Sequence, residues 1–161
     1  MATAHASPGA RLLKLWQWLS PLPGGRWLFG RIIGRMAPYT GSISPRVREL
    51  RPGYARIELR DRRRLRNPFN SVHAIALANL GEVASGLALT VILPAGMRGI
   101  PTRITTEYFK KARGLLVAES RCEAPPVRGE EYDYEVQADI RDAEGDVVAR
   151  LTAHWRLGPV P

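Results

Sequence analysis

Residues 74–89 limit most tightly what this chain can fold into. Read at helical spacing, Ile75, Leu77, Leu80, Val83, Ala84, Leu87 and Leu89 run round the whole circumference and leave no broad polar face. A helix of that kind belongs in an interior, so the rest of the chain must supply its cover. Three polar side chains interrupt it: Asn79, Glu82 and Ser85. A carboxylate is almost never fully buried without a partner, so Glu82 marks this segment as more than a structural rod. A polar stretch, Asn67-Pro68-Phe69-Asn70-Ser71-Val72-His73, leads into it. Asn70 or Ser71 is the expected N-cap, since either side-chain oxygen can accept from the unpaired amides of the first turn.

The cover is read from a change of period. Residues 43–50 and 54–60 alternate about Pro52-Gly53 and predict a hairpin. After the helix, Pro94-Ala95-Gly96 marks a loop, and residues 102–110 and 115–123 read as strands about Gly114. Residues 131–141 alternate cleanly, with Tyr132, Tyr134, Val136, Ala138 and Ile140 on one face. A turn at Ala143-Glu144-Gly145-Asp146 leads to a last strand whose Val147, Ala149, Leu151, Ala153, Trp155 and Leu157 share a face. The predicted order is two strands, one long buried helix, then four strands in consecutive hairpins. That is an α+β fold, an antiparallel sheet curled over its one central helix.

The first 38 residues differ in character. Residues 1–9 read as a loose tail. Leu12, Leu15, Trp16 and Leu19 then recur at helical spacing until Pro21-Leu22-Pro23-Gly24-Gly25 stops them. A second segment sets Leu28, Phe29, Ile32, Ile33 and Met36 against Arg26, Arg31 and Arg35, and ends at Pro38. Such basic, Trp-bearing helices can make peripheral contact with a membrane surface. Amphipathicity is also what any packed surface helix shows, and packing is the favoured reading. The division expected is an amphipathic helical extension over 1–38 and one domain over 39–161.

Charge and cysteine use narrow the function. Of the net +9, residues 1–40 carry +5, residues 41–66 carry +6 and residues 67–161 carry −2. The basic half attracts polyanions without naming one. No recognition helix, zinc signature or aromatic RNA-binding motif accompanies it, so no nucleic-acid partner is expected. The single cysteine, Cys122, rules out an intramolecular disulfide and fits a reducing, cytoplasmic setting. His5, His73 and His154 are scattered and no C-x-x-C pair exists, so no metal or cofactor is expected. No apolar run is long enough for a membrane span, and no signal peptide is read at the N-terminus.

The strand, strand, helix, four-strand order resembles the hotdog fold. Within it, the spacing Asn67…His73-Ala74…Glu82 is similar to the catalytic pattern of phenylacetate-type acyl-CoA thioesterases. The stretch Met36-Ala37-Pro38-Tyr39-Thr40-Gly41, with helices before it, resembles the DUF4442 branch, and the likeness runs from about residue 36 to residue 157. The resemblance implies an acyl-thioester hydrolase, acting on acyl-CoA or an acyl-carrier-protein thioester, and a homodimer or dimer of dimers. It implies that Glu82 activates water or attacks the thioester, and that Asn67 holds the carbonyl or the water. His73 matches the family histidine. Ala74 replaces the glycine whose backbone amide is the oxyanion donor; alanine keeps the N–H if the local turn is ordinary. Thr102 is the position for a hydroxyl on the next strand. A non-catalytic acyl- or lipid-binding protein and a hotdog dehydratase are the competing readings.

The residues argue alongside the resemblance. Hydrolysis of a thioester needs a base or nucleophile and a donor at the developing oxyanion, which the head of a helix offers. Desolvation should raise the pKa of Glu82 toward that of a useful base. Nine residues separate His73 from Glu82, about 180° and some 13 Å along a straight helix. If they cooperate they must come from different subunits, and Ala74, Ala78, Gly81, Ser85 and Gly86 are small enough to admit a facing element. Asn70, Asn79, Thr102, Arg64 and Arg66 are the candidate substrate contacts, the arginine run at 60–66 being placed to meet coenzyme A phosphates. Asn79 and Ser85 read more readily as helix-packing residues than as catalytic ones, His154 as a surface or satisfied histidine and Cys122 as inert.

Overall fold

A computed structural model describes residues 7–160; the tail expected over 1–9 therefore lies outside the described residues up to residue 6, as does His5. The helices are α1 (Pro8–Leu19), α2 (Gly25–Met36), a short α3 (Pro38–Ser42) and α4 (Ala74–Thr90). The strands are β1 (Arg46–Arg51), β2 (Tyr54–Arg60), β3 (Met97–Tyr108), β4 (Leu115–Arg121), β5 (Tyr132–Arg141) and β6 (Val147–Pro159), with a 3-10 turn at Arg63–Leu65. All six strands form one antiparallel sheet in the order β1-β2-β4-β5-β6-β3, curled round α4, which is the hotdog arrangement.

One expectation fails. The four strands after α4 are not consecutive hairpins, because β3 does not pair with β4. It runs instead along the far edge against β6, from Met97 opposite Pro159 to Tyr108 opposite Ala149. Both edges of β4 are already taken, by β2 and β5. The link from β3 to β4 therefore crosses the mouth of the sheet. It is held there by Ala112 C=O, which accepts from Val72 N–H at 2.8 Å, and by Lys110 Nζ, which donates to Asp142 and Asp146 at 2.7 Å each. β1 also starts later than expected, at Arg46, since Ser44 takes a left-handed backbone (φ +50), and β3 starts earlier, at Met97.

The helical segments belong to the same core. Trp16, Leu19, Phe29 and Ile33 pack with Leu80, Ala84, Ile57 and Ile140 in one buried cluster, and Trp16 meets Phe29 edge to face at 5.1 Å. Trp16 and Leu19 of α1 and Phe29 and Ile33 of α2 thus face inward, whereas Leu28 and Met36, expected on the same stripe, are exposed, as are Trp18 and Trp27. No described helix is long and apolar enough to cross a membrane.

Gly9 shows how closely α1 sits on the end of α4: a Cβ there would lie 1.7 Å from Thr90 O. In an open helix, Gly→Ala stabilises by about 0.5–1 kcal/mol. Here the contact with rigid backbone reverses the sign, and Gly9→Ala should destabilise by about 1–3 kcal/mol, read as a lower urea midpoint.

Candidate active site

The surface of α4 that the sheet leaves uncovered is narrow. Most of the helix is buried, but Ala74, Ala78, Glu82, Gly86 and Thr90 keep partial exposure, with Ile75 beside them. Residues four apart turn about 40° from each other, so these five form one oblique stripe that winds round the helix. Glu82 stands at its centre. Its carboxylate has no hydrogen bond or ion pair among the described residues, and desolvation alone raises its pKa. A Cβ on Gly86 would come within 3.7 Å of Glu82 Oε1 and 3.8 Å of the Trp155 ring, so the glycine leaves room at that carboxylate. The Trp155 indole N–H is itself buried without an acceptor among the described residues. Gly81 and Ser85, grouped with the stripe on sequence, lie elsewhere. Gly81 faces Leu151, and Ser85 is fully buried with its hydroxyl donating to Glu82 C=O at 3.0 Å.

At the head of α4 the cap is His73, not Asn70 or Ser71. Its Nδ1 accepts from Ile75 N–H at 3.2 Å, which leaves the ring proton on Nε2. Ala74 is the first helical residue, with ordinary negative φ, and its N–H finds no acceptor among the described residues. Its carbonyl accepts from Tyr108 Oη–H at 3.0 Å, which fastens the end of β3 to the helix head. Sequence reasoning missed Tyr108, since nothing local distinguishes a tyrosine closing a strand. Ala74 and Glu82 share the stripe but stand about 12 Å apart along it.

The profile of the Domain of unknown function (DUF4442) family matches residues 25–157. The chain belongs to that family. No curated protein sequence matches it. Among solved structures it is similar to a structural-genomics protein, APC5556, at 30% identity and a TM-score of 0.79, covering 94% of this chain and 99% of that one. It is similar to Pseudomonas aeruginosa PA5026, described as a protein of unknown function and probable thioesterase, at 23% identity and a TM-score of 0.74, covering 86% and 97%. It also shares its fold with Escherichia coli PaaI, from the phenylacetic acid degradation operon, at 13% identity and a TM-score of 0.65, covering 84% and 94%.

The remaining candidates in this DUF4442 chain divide by what they already hold. Asn67 Oδ1 accepts from Phe69 N–H at 3.0 Å, and from Ser71 N–H and Oγ–H at 3.2 Å each. Its oxygen is therefore spent on the loop, and its amide nitrogen has no acceptor among the described residues. Asn70 sits at φ +55 and accepts from Arg66 Nη1 at 2.8 Å. Arg66 also donates to Asp61 at 2.8 Å, so it braces the loop. Asn79 donates to Tyr39 C=O at 3.1 Å and joins α4 to α3. Thr102 donates to His154 C=O at 3.2 Å, at the β-bulge between Pro101 and Arg103. His154 lies against Glu135 at 3.5 Å, and burial pushes the Cys122 thiol up to about 11.

A cavity of about 200 Å³ opens at the helix head, lined in part by Tyr39, Ser42, Arg64, Arg66, His73 and Asn79. The loop that shapes it depends on Asn67. Asn67→Ala should cost about 1–3 kcal/mol by leaving donors unmet, and Asn67→Asp, which keeps the acceptor, should cost less. Urea denaturation of the two variants measures the difference.

Proposed function

We propose that this protein hydrolyses an acyl thioester carried by coenzyme A or an acyl-carrier protein. On this reading Glu82 is the general base or nucleophile and the Ala74 N–H is the oxyanion donor. The observation that carries it is the unpaired, desolvated Glu82 carboxylate on the accessible stripe of an otherwise buried helix. A carboxyl group held in that way is a base poised above its ordinary range. The free amide at the head of α4 suits a developing oxyanion, and Ala74 supplies it without backbone strain. That favours hydrolysis over a lapsed, purely acyl-binding role, for which the missing glycine was the argument. His73 orients the first turn through Ile75 N–H and stands beside the oxyanion position.

One chain cannot close this site, because about 12 Å separates base and donor. Two stripes laid antiparallel about a two-fold axis at Ala78 set Ala74 of one protomer opposite Glu82 of the other. The small Ala78 at the crossing permits the approach. The working form on this reading is a homodimer, or a dimer of dimers, with each thioester bound between subunits.

Glu82→Gln should lower kcat about 10²–10⁴-fold in an assay of free-thiol release from acyl-CoA esters. The wild-type rate should climb with pH through the raised Glu82 pKa, and the variant's residual rate should not. Stability moves the other way. The folded state holds the Glu82 proton more tightly than the unfolded chain, so wild type loses stability as pH rises through that interval. Glu82→Gln abolishes this loss and should match or exceed wild-type stability at pH 8.

Ala74→Pro removes the amide at a helix position where proline is tolerated. His73, at φ −62 and ψ 140, already has the backbone that a following proline requires. The variant should fold normally and lose about 10²–10³ in kcat. Mixing the two inactive variants as subunits should restore about a quarter of wild-type activity, since half the dimers then hold one intact site. No recovery after verified subunit exchange would rule out the shared site.

A further inference from the structure

Outside the stripe on α4, one feature stands apart: an arginine-lined groove of about 670 Å³ between α2–α3 and β1. Helix α2 contributes Arg26, Arg31 and Arg35; β1 contributes Arg46 and Arg48; the turn before α4 contributes Arg62 and Arg64. No acidic residue lines it. Arg48 alone is paired with a carboxylate, Glu58 at 2.7 Å. Arg62 and Arg64 donate only to the backbone and hydroxyl of Ser44, at 3.3 and 2.8 Å. Arg26 and Arg31 lie over Trp16 and Trp27, and the Arg35 and Arg46 side chains make no hydrogen bond or ion pair with any described residue.

This convergence is built by backbone packing. A Cβ on Gly41 would fall 2.7 Å from Gly34 O, and one on Gly30 would fall 3.2 Å from Pro45 O. Glycines one turn apart on α2 cost helix propensity, and here they bring the helix down onto the start of β1. Two sets of arginines distant in sequence thereby face one concavity. Like charges gathered in a concave, partly desolvated space repel each other. Arg62 registers this: burial lowers its pKa first, and repulsion from Arg64, Arg46 and Arg60 lowers it further. Guanidinium forks match phosphate oxygens two at a time, and several forks round a space of nucleotide size suit more than one phosphate.

We propose that the groove binds a small molecule bearing two or more clustered phosphate groups. The source best placed to supply them is the phosphorylated end of the thioester carrier. The groove shares Ser42 and Arg64 with the smaller cavity at His73 and Asn79, so a carrier seated here extends its arm toward the head of α4. That assignment of the source rests on the function proposed above; the phosphate site does not.

The test uses the full chain and two probes, adenosine 3′,5′-bisphosphate and inorganic pyrophosphate, titrated calorimetrically. Binding should saturate, weaken as salt is added, and fall at least tenfold in the double variant Arg35→Ala/Arg46→Ala. Those side chains are exposed, so the unliganded melting temperature should not move. Glu82→Gln should bind the probes like wild type. No binding of either probe, equal binding in the double variant, or capture by anionic phospholipid vesicles without probe binding would overturn the site. In turnover assays, a tenfold rise in KM with kcat changed less than twofold assigns the phosphates to the substrate carrier. An unchanged KM with arginine-dependent probe binding keeps the site and assigns it to a separate phosphorylated ligand. Absence of turnover in every protein would sink the hydrolase reading and leave the titration to decide this one.

Discussion

The structure turns on a partly desolvated carboxylate with no cation paired to it among the described residues. Elsewhere the fold pairs its buried or half-buried acids. Asp61 is held by Arg66, Asp139 by Arg150 and Asp142 by Lys110, each at 2.8 Å or less, and in each the partner draws the acid's pKa down. Glu82 shifts the opposite way. In a chain carrying 24 Lys and Arg, leaving one central acid unpaired is a property of its surroundings, not a shortage of partners. Helix polarity does little to relieve it, because Glu82 lies two turns beyond the N-terminal end where the dipole acts. The uncompensated desolvation holds its pKa above the ordinary carboxylate range.

Cover and opening are two results of one packing solution. Gly81 lets α4 press onto Leu151 of β6, and Asn79 anchors the opposite flank to α3. With both sides fixed, only one line of the helix faces outward, and it is small except at Glu82 and its neighbour Ile75. Tyr108 fastens β3 to the head of that line, and Trp155 closes on Gly86 near its tail.

Much of this was legible in the sequence, for identifiable reasons. Alternation over residues 131–141 and 149–157 correctly told which side chains face inward, since a period of two has only one answer once one face is apolar; at Val147 it failed, because the register shifts between Ile140 and Arg141 and buries Val148 instead. It could not tell which strand neighbours which, and β3 was therefore misplaced beside β4. The long helix and the odd position of Glu82 were plain because nothing else in that segment is charged. The cap was misread because Asn70 and Ser71 are good caps by type. Asn67, however, binds the loop into a turn that uses Ser71, and Arg66 holds Asn70, so the capping place passes to His73. The arginine groove was half visible. The run at 60–66 was evident, but only Arg62 and Arg64 of it reach the groove, and its other walls come from residues brought close by glycines on a different helix.

The edge strand limits how a second protomer can arrive. β3 runs for twelve residues, yet its two halves are unlike. The first half carries Arg98, Pro101, a bulge and Arg103, the devices that blunt an edge against further pairing. The second half, Ile104-Thr105-Thr106-Glu107-Tyr108, is regular and β-branched, and its Ile104 and Tyr108 are 44% and 47% exposed. An added strand is therefore steered to the half that ends beside Ala74. The two-fold reading proposed above also calls for a second protomer at that helix head, where Tyr108 Oη–H donates to Ala74 C=O at 3.0 Å.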